Sequence, residues 1–378
     1  MNDILQKKNL LIKSGIIVSF KEIPSKENYF KHIICETSSK DCFGTSLGKD
    51  KKDTERKAIG EALERYSLKT IPNLKKASYN KLSNALNPEL FLNFSNNSLE
   101  GRRKEYLTKI KKTNISWVNG IHLNSKKNVF IPAQLVYIYN RNEPIIRIPS
   151  SNGAAFGTNK KEAIERAVLE LIERDCFMRS WFSGKGFKRI KLNKKSEKEF
   201  IDIGVKPFVF DISMYRGVRS VFALLLDKNN KGIKVYGGLR SGFSKYKVIE
   251  EALQEAYKTK IWLNIMDKEN KKFEIESLEE RRKFWSNKKN ISKLDFILGS
   301  KFVRIKDLKH KDIINEFKKN KDIYVVDITH EKIKKYGAVI KVLIPSLHPL
   351  SLDDKFPYDY SEKIKPKMIK NKLPLPLW

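Results

Sequence analysis

Twice along this chain the pattern Glu-x-x-Glu-Arg recurs inside a stretch with the apolar period of an amphipathic helix, as Glu61-Ala62-Leu63-Glu64-Arg65 and as Glu170-Leu171-Ile172-Glu173-Arg174. Residues three or four apart on a helix share a face, so each copy aims two carboxylates and a guanidinium at one point. Four carboxylates gathered in a partly buried site repel one another unless cations lie among them, and hard divalent ions such as Mg2+ take oxygen ligands of this kind. The fork-shaped donors of Arg65 and Arg174 suit phosphate. The pattern thus predicts a fold that brings two distant helices together around a metal-nucleotide site. A single copy would read as charge on a solvated helix; duplication in similar surroundings argues for a site.

Charge bears on what such a site attracts. The chain has 77 Lys+Arg against 44 Asp+Glu, a formal +33, which draws anions whatever the fold. The lysines are spread over nearly the whole length beside many Asn and Ile, and no zinc-finger spacing, helix-turn-helix signature or aromatic RNA-binding motif accompanies them. A phosphate-bearing small ligand fits that field, and nucleic acid is not expected as the main partner.

At 378 residues and 40% hydrophobic content the chain can bury one extended core or two ordinary ones. Cys35, Cys42 and Cys176 form neither an even disulfide set nor a C-x-x-C metal pair, so reduced thiols in a cytoplasm are expected. Lys13 interrupts the apolar run from Leu10 to Phe20 and no small-residue cleavage site follows, which argues against a secretory signal. No stretch reaches the ~18 uninterrupted apolar residues of a spanning helix, so no membrane association is expected from a span.

Periodicity predicts alternating strands and helices. Strand character appears at Gly15–Phe20, Ile115–Gly120, Val129–Ala133, Leu135–Tyr139, Phe208–Ile212, Val221–Leu226, Ile233–Gly237, Tyr324–Ile328 and Ala338–Ile344. Helices are expected over Asp53–Leu68, Lys160–Trp181 and Lys245–Met266, with a polar lead-in from Ser38 to Lys52 and a stretch from Ile71 to Lys112 that mixes helix and surface loop. The small residues of Pro149–Asn159 precede the second acidic helix and suit close approach of an anion. The ending Leu373-Pro374-Leu375-Pro376-Leu377-Trp378 favours an extended tail, lying in a groove or in none. No P-loop, G-x-G-x-x-G or kinase H-R-D set is present: Gly237 and Gly242 are followed by Phe243 where a P-loop needs lysine. A nucleotide site would have to use the acidic helices.

Four segments together resemble the YcaO family: G-K-D-K-K-D-T-E-R-K-A-I-G-E-A-L-E-R-Y from Gly48, S-S-N-G-A-A-F-G before the second helix, E-A-I-E-R-A-V-L-E-L-I-E-R-D within it, and K-V-L-I-P-S-L-H-P near the end. The proline-rich ending is similar to the tails of azoline-forming members, which build thiazole/oxazole-modified peptides of the streptolysin S type. The resemblance implies an α+β fold of YcaO-type mixed sheets with packed helices, an N-terminal segment at 1–42 and a catalytic domain at 43–378 that includes the tail 373–378. It also implies an ATP-dependent cyclodehydratase of toxin or bacteriocin biosynthesis, converting Cys, Ser or Thr of a ribosomal precursor peptide to thiazoline or oxazoline.

By the same resemblance Glu61, Glu64, Glu170 and Glu173 hold Mg2+ and thereby ATP, and Arg65 and Arg174 lie near phosphate or brace the carboxylates. Lys49 matches the family's glycine-rich nucleotide loop or is a solvent lysine, and Ser151 and Asn152 contact nucleotide or substrate or form a turn. Glu255 matches the third acidic position, with Lys258 where a glutamine is expected, although Glu250 and Gln254 offer another register. Lys57 departs from the small or hydroxyl residue many relatives place before the first motif. The carboxylate of Trp378 is a catalytic candidate, the alternative being a tail that binds a partner groove or nothing. His348 reads as packed or capping, and Cys176, in an apolar helix, as a buried thiol. The implied partners are the precursor peptide, a separate leader-binding protein resembling ubiquitin-activating enzymes (the C protein of such systems), with room for a flavin dehydrogenase and a homodimer. The alternatives are a thioamide-forming YcaO enzyme and a non-catalytic scaffold subunit; the tail argues against the first and the two intact acidic motifs against the second.

Overall fold

The computed structural model describes residues 4–23, 29–39, 41–92, 101–138, 142–227, 232–351 and 369–377. Helix α1 (Lys8–Lys13) leads into strands β1 (Ile17–Ile23), β2 (Lys31–Thr37) and β3 (Phe43–Gly48), then α2 (Lys51–Lys69). β4 (Lys75–Ala77) and α3 (Arg103–Lys112) precede the hairpin β5 (Ile115–His122) and β6 (Lys127–Pro132), and β7 (Ala154–Gly157) runs into α4 (Lys160–Ser183). Next come β8 (Lys188–Ile190), α5 (Lys194–Asp202), β9 (Val205–Asp211), β10 (Arg219–Asp227), β11 (Val235–Gly242) and α6 (Lys245–Lys268). The last part holds α7 (Glu276–Ser286), α8 (Asp295–Leu298), β12 (Phe302–Val303), α9 (Ile313–Lys318), β13 (Tyr324–Asp327) and β14 (Ala338–Leu343).

The strands form three sheets: β1-β2-β3; β11-β10-β9-β8-β12; and β4-β5-β13-β14-β7 with β6 on β5. Among the described strand pairs only β8–β12 is parallel. The third sheet separates two cores, as the period-two alternation of strand side chains requires. Val325, Ile340 and Val342 belong to one core with α4, α6 and the five-stranded sheet. Tyr324, Val326, Val339 and Leu343 belong to the other, with α2. The α+β class is the expected one.

Caps fix where the site-bearing helices begin. Asp50 accepts the Asp53 N–H at 2.7 Å to start α2, and Asn159 accepts the Glu162 N–H at 3.0 Å to start α4. Backbone contact sets their height over the sheets. A Cβ at Gly44 would collide with the Ala58 carbonyl and the Ala62 amide, and one at Gly238 with the Ala252 carbonyl and the Ala256 amide. Glycine at these two strand positions lets α2 lie directly on β3 and α6 directly on β11.

Two expectations need correction. Leu135–Tyr139 is not a strand: after Pro132 the backbone makes a 3-10 turn over Ala133–Leu135, and the Ala133 carbonyl accepts from the amides of Val136 and Tyr137 at 3.0 and 2.9 Å; Tyr139 itself lies outside the described residues. Proline's fixed φ and missing N–H end β6 there. The polar lead-in from Ser38 to Lys52 holds β3, whose burial comes from β2 beside it and α2 above it.

Candidate functional site

On α2, Glu61, Glu64 and Arg65 share one face. Glu61 is already engaged: Oε2 accepts the Thr45 N–H at 2.9 Å and Oε1 pairs with Arg65 at 2.6 Å. Arg65 also donates to the Phe43 carbonyl at 3.1 Å and lies over the Phe43 ring, so this guanidinium braces β3 and Glu61. Glu64 is the member of this motif that faces the second one. Burial, then repulsion from Glu170 and Glu61, pushes its carboxyl well above the usual range, against the pull of Arg65 and Lys341.

On α4, burial raises Glu170, opposed by Arg174, Lys341 and the backbone of Gly153. Glu173, 5% exposed, is pushed up to about 7 by burial, which Arg174 and Arg240 only partly offset while Glu170 and Glu255 add to it. Arg174 stands 3.8 Å from Glu170 and 3.6 Å from Glu173, distances too long for good charge-assisted hydrogen bonds, and its buried Nε has no hydrogen-bond partner among the described residues. That leaves an oriented cation with donor capacity to spare.

The third side comes from α6, β11 and β14. Lys258 pairs with Glu255 at 2.8 Å; burial opposes charge on Glu255, but Lys258, Arg174 and Arg240 outweigh it and hold the carboxyl below its ordinary value. Arg240 of β11 pairs with Glu251 at 2.5 Å, and Lys57 joins Glu251 at 2.8 Å and Asp53 at 2.8 Å. The departure at position 57 is thus a salt bridge that ties α2 to α6. Lys341 of β14 is 0% exposed, donates to the Ser150 carbonyl at 2.7 Å, and is pulled down to about 7 by burial and by Arg147, against Glu170 and Glu64.

The structure therefore brings Glu64, Glu170, Glu173, Arg174 and Glu255 into one electrostatic neighbourhood. It does not put Lys49 there: Lys49 pairs with Glu199 at 2.6 Å and Glu250 at 3.4 Å, at a separate cavity. Asn152 spends its amide on Ser150 Oγ at 2.9 Å and the Leu350 carbonyl at 3.0 Å, and the Ser151 carbonyl closes a turn onto the Ala154 N–H at 2.8 Å. Trp378 lies outside the described residues, but Leu373–Leu377 occupy a groove. The indoles of Trp181 and Trp285 donate to the carbonyls of Leu373 and Leu375 at 2.9 and 3.3 Å, and Arg281, 0% exposed, donates to those of Leu377 and Ser351 at 3.1 Å each. His348 is buried, its N–H donated to Asp175 at 2.6 Å, and the buried Cys176 thiol is pushed up to about 12. Neither is poised as a nucleophile or base.

Sequence reasoning missed Lys341, Arg240 and Glu251. A signal existed for Lys341, the lone charge in an apolar strand; Arg240 and Glu251 become notable only once β11 and α6 are packed.

A metal-nucleotide ligand fits these residues on two counts. Three carboxyls remain raised despite the surrounding bases, so an added cation relieves them, and Arg174 offers a buried, unused donor. Among the described residues no three acidic, His or Cys groups stand close enough to form a ready-made metal cage. Ions would accordingly be held jointly by these carboxylates and the phosphates.

Comparison with known proteins gives the same direction. Residues 46–348 match the family described as YcaO cyclodehydratase, ATP- and Mg2+-binding. A heterocyclase in complex with substrate and cofactor superposes with TM-score 0.78 at 18% identity, covering 99% of this chain and 57% of that one. YcaO from Methanopyrus kandleri bound with AMPPCP and Mg2+ gives 0.66 at 14% identity, over 91% of this chain and 90% of that one. The E. coli microcin synthetase McbBCD complex with pro-MccB17 bound gives 0.68 at 16%, over 87% and 88%. An uncharacterized protein of Methanothermobacter thermautotrophicus is 24% identical over 193 residues, 48% of this chain and 47% of that protein. The chain spans about half the length of that relative and little more of the first heterocyclase. Among the described residues no helix is long and apolar enough to cross a membrane.

Proposed function

Because the chain belongs to the YcaO family, whose members bind ATP and Mg2+, we propose that it is an ATP-dependent peptide cyclodehydratase that forms thiazoline or oxazoline rings in a ribosomally made precursor. In this reaction a Cys, Ser or Thr side chain of the substrate loses its S–H or O–H proton to solvent and adds to the preceding amide carbonyl carbon. The resulting oxyanion takes the γ-phosphoryl group of ATP, releasing ADP. Loss of phosphate and of the amide proton then leaves the C=N bond of the ring. Amide oxygen is a poor leaving group, and phosphorylation makes it a good one.

The observation that carries this reading is the meeting of Glu64 with Glu170 across two helices, both carboxyls raised, with Arg174, Lys341 and Arg240 around them. Glu64, Glu170 and Glu173 would hold Mg2+, which supplies charge neutralisation on the transferring phosphoryl group. Arg174 would add its buried donors to the phosphates, and Lys341 provides a positive centre fixed by Ser150. Glu61 and Arg65 support this face by locking α2 to β3. We assign the carboxylate of Trp378, the residue after the docked Leu373–Leu377, a role at the reacting amide. Similarity to a synthetase complex with a pro-peptide bound supports a peptide substrate and partner proteins; we assign leader capture to a separate subunit.

The test is co-expression with a candidate precursor and its partner, read by mass spectrometry. Each ring removes the mass of one water. Glu64→Gln and Glu170→Gln are expected to lower ring formation by at least about a hundredfold, as loss of a metal-phosphate ligand does. A peptide that becomes heavier by exchange of oxygen for sulfur, or variants that retain full ring formation, would overturn the proposal.

A further inference from the structure

Away from the acidic cluster, α5, the start of α6 and β12 enclose a cavity of about 490 Å3. Its body is apolar, built from Ile190, Leu192, Phe200, Ile249, Val303 and Ile305. Charge sits around it unevenly. Both lining acids, Glu199 and Glu250, pair with Lys49. Lys191, Lys245 and Arg304 also line the cavity, and no acidic partner for them is found among the described residues. The wall next to it is β12, the last strand of the five-stranded sheet, which among the described residues pairs only with β8, through Phe302–Arg189 and Val303–Ile190. Phe302 there is 62% exposed. A strand with one unpaired edge presents backbone donors and acceptors to any extended chain that lies beside it.

We propose that this cavity and the free edge of β12 bind an acidic peptide segment in extended form. One apolar side chain enters the cavity, carboxylates on the same segment meet Lys191, Lys245 and Arg304, and the backbone adds to β12. A basic or neutral peptide would leave three cations facing it unmatched, which selects the acidic occupant. Glu250 at the cavity and Glu251, the partner of Arg240, are consecutive on α6, so the segment docks beside the helix that also borders the candidate active site.

The test needs neither ATP nor turnover, so it fails or succeeds independently of the ring-forming proposal. Fluorescein-labelled Glu-Leu-Asp-Phe-Glu-Leu is titrated with the full chain and followed by anisotropy. Saturable binding is expected, weakened about tenfold in Lys191→Glu/Arg304→Glu, whose changes are both on the surface, and in Leu192→Glu, which blocks the cavity by itself. The same peptide N-methylated at alternate residues is expected to bind about tenfold more weakly, since it cannot pair with a strand edge. No binding, equal affinity for a peptide with Lys in place of each acid, or indifference to N-methylation or to both variants overturns the proposal. So does displacement by MgATP, which would give the cavity to the nucleotide.

Discussion

Replacing Glu173 by Gln is expected to make the protein more stable at alkaline pH while abolishing its nucleotide chemistry. Glu173 is 5% exposed and its carboxyl is raised from 4.5 to about 7, burial being the largest cause. The native chain therefore keeps this proton up to about pH 7, whereas the unfolded chain releases it near 4.5. Stability falls as pH rises through that window, and the loss is complete above it. A shift of this size corresponds to about 3 kcal/mol at pH 8. Gln has the shape and neutrality of the protonated form, so the variant does not incur this loss. For a chain of 378 residues about 3 kcal/mol is a rise of about 4 °C in Tm at pH 8, with the gap closing near pH 5. Differential scanning calorimetry at the two pH values reads it directly. MgATP at about a hundred times its Kd is expected to add about 3 kcal/mol to the wild type and nothing to the variant. A variant no more stable than wild type at pH 8, or a gap of the same size at both pH values, would refute the reasoning.

Two further substitutions probe the frame around the site. Gly238→Ala would drive a methyl group into the Ala252 carbonyl and the Ala256 amide and lift α6 from β11; a loss of about 2–3 kcal/mol is expected together with weaker MgATP binding, and an unchanged melting curve and nucleotide titration would contradict this. Arg281→Met leaves the buried carbonyls of Leu377 and Ser351 without that donor, at a cost of about 3 kcal/mol. Hydrogen exchange at Leu373–Leu377 should then accelerate, and deletion of Pro374–Trp378 should suppress ring formation more than ATP hydrolysis; unchanged exchange, or unchanged ring formation after deletion, would dismiss the clamp or the tail's catalytic role respectively.

Helices α2, α4 and α6 were legible because their apolar period is a local property, as are the caps Asp50 of α2 and Asn159 of α4, and the acidic pairs because i, i+3 spacing is local too. The bases that complete the site were not, because they arrive from elsewhere: Lys341 on β14 and Arg240 on β11. β3 escaped notice since Phe43-Gly44-Thr45-Ser46-Leu47-Gly48 looks polar, and what makes it a strand is β2 at its side and a helix seated on Gly44. Lys49, legible as part of a motif, serves instead in a salt bridge at another cavity, for a lysine stem reaches any of several neighbours and spacing does not say which.

The Lys258 ammonium reaches the Thr45 carbonyl at 3.5 Å across a sequence separation of 213, and Lys341 shares a field with Glu64 from still farther along the chain. Closing loops of that size is slow, so this constellation forms among the last events of folding. A half-folded chain would carry all the acidic residues and still grip nothing, which makes nucleotide capture a signature of molecules that have finished assembling.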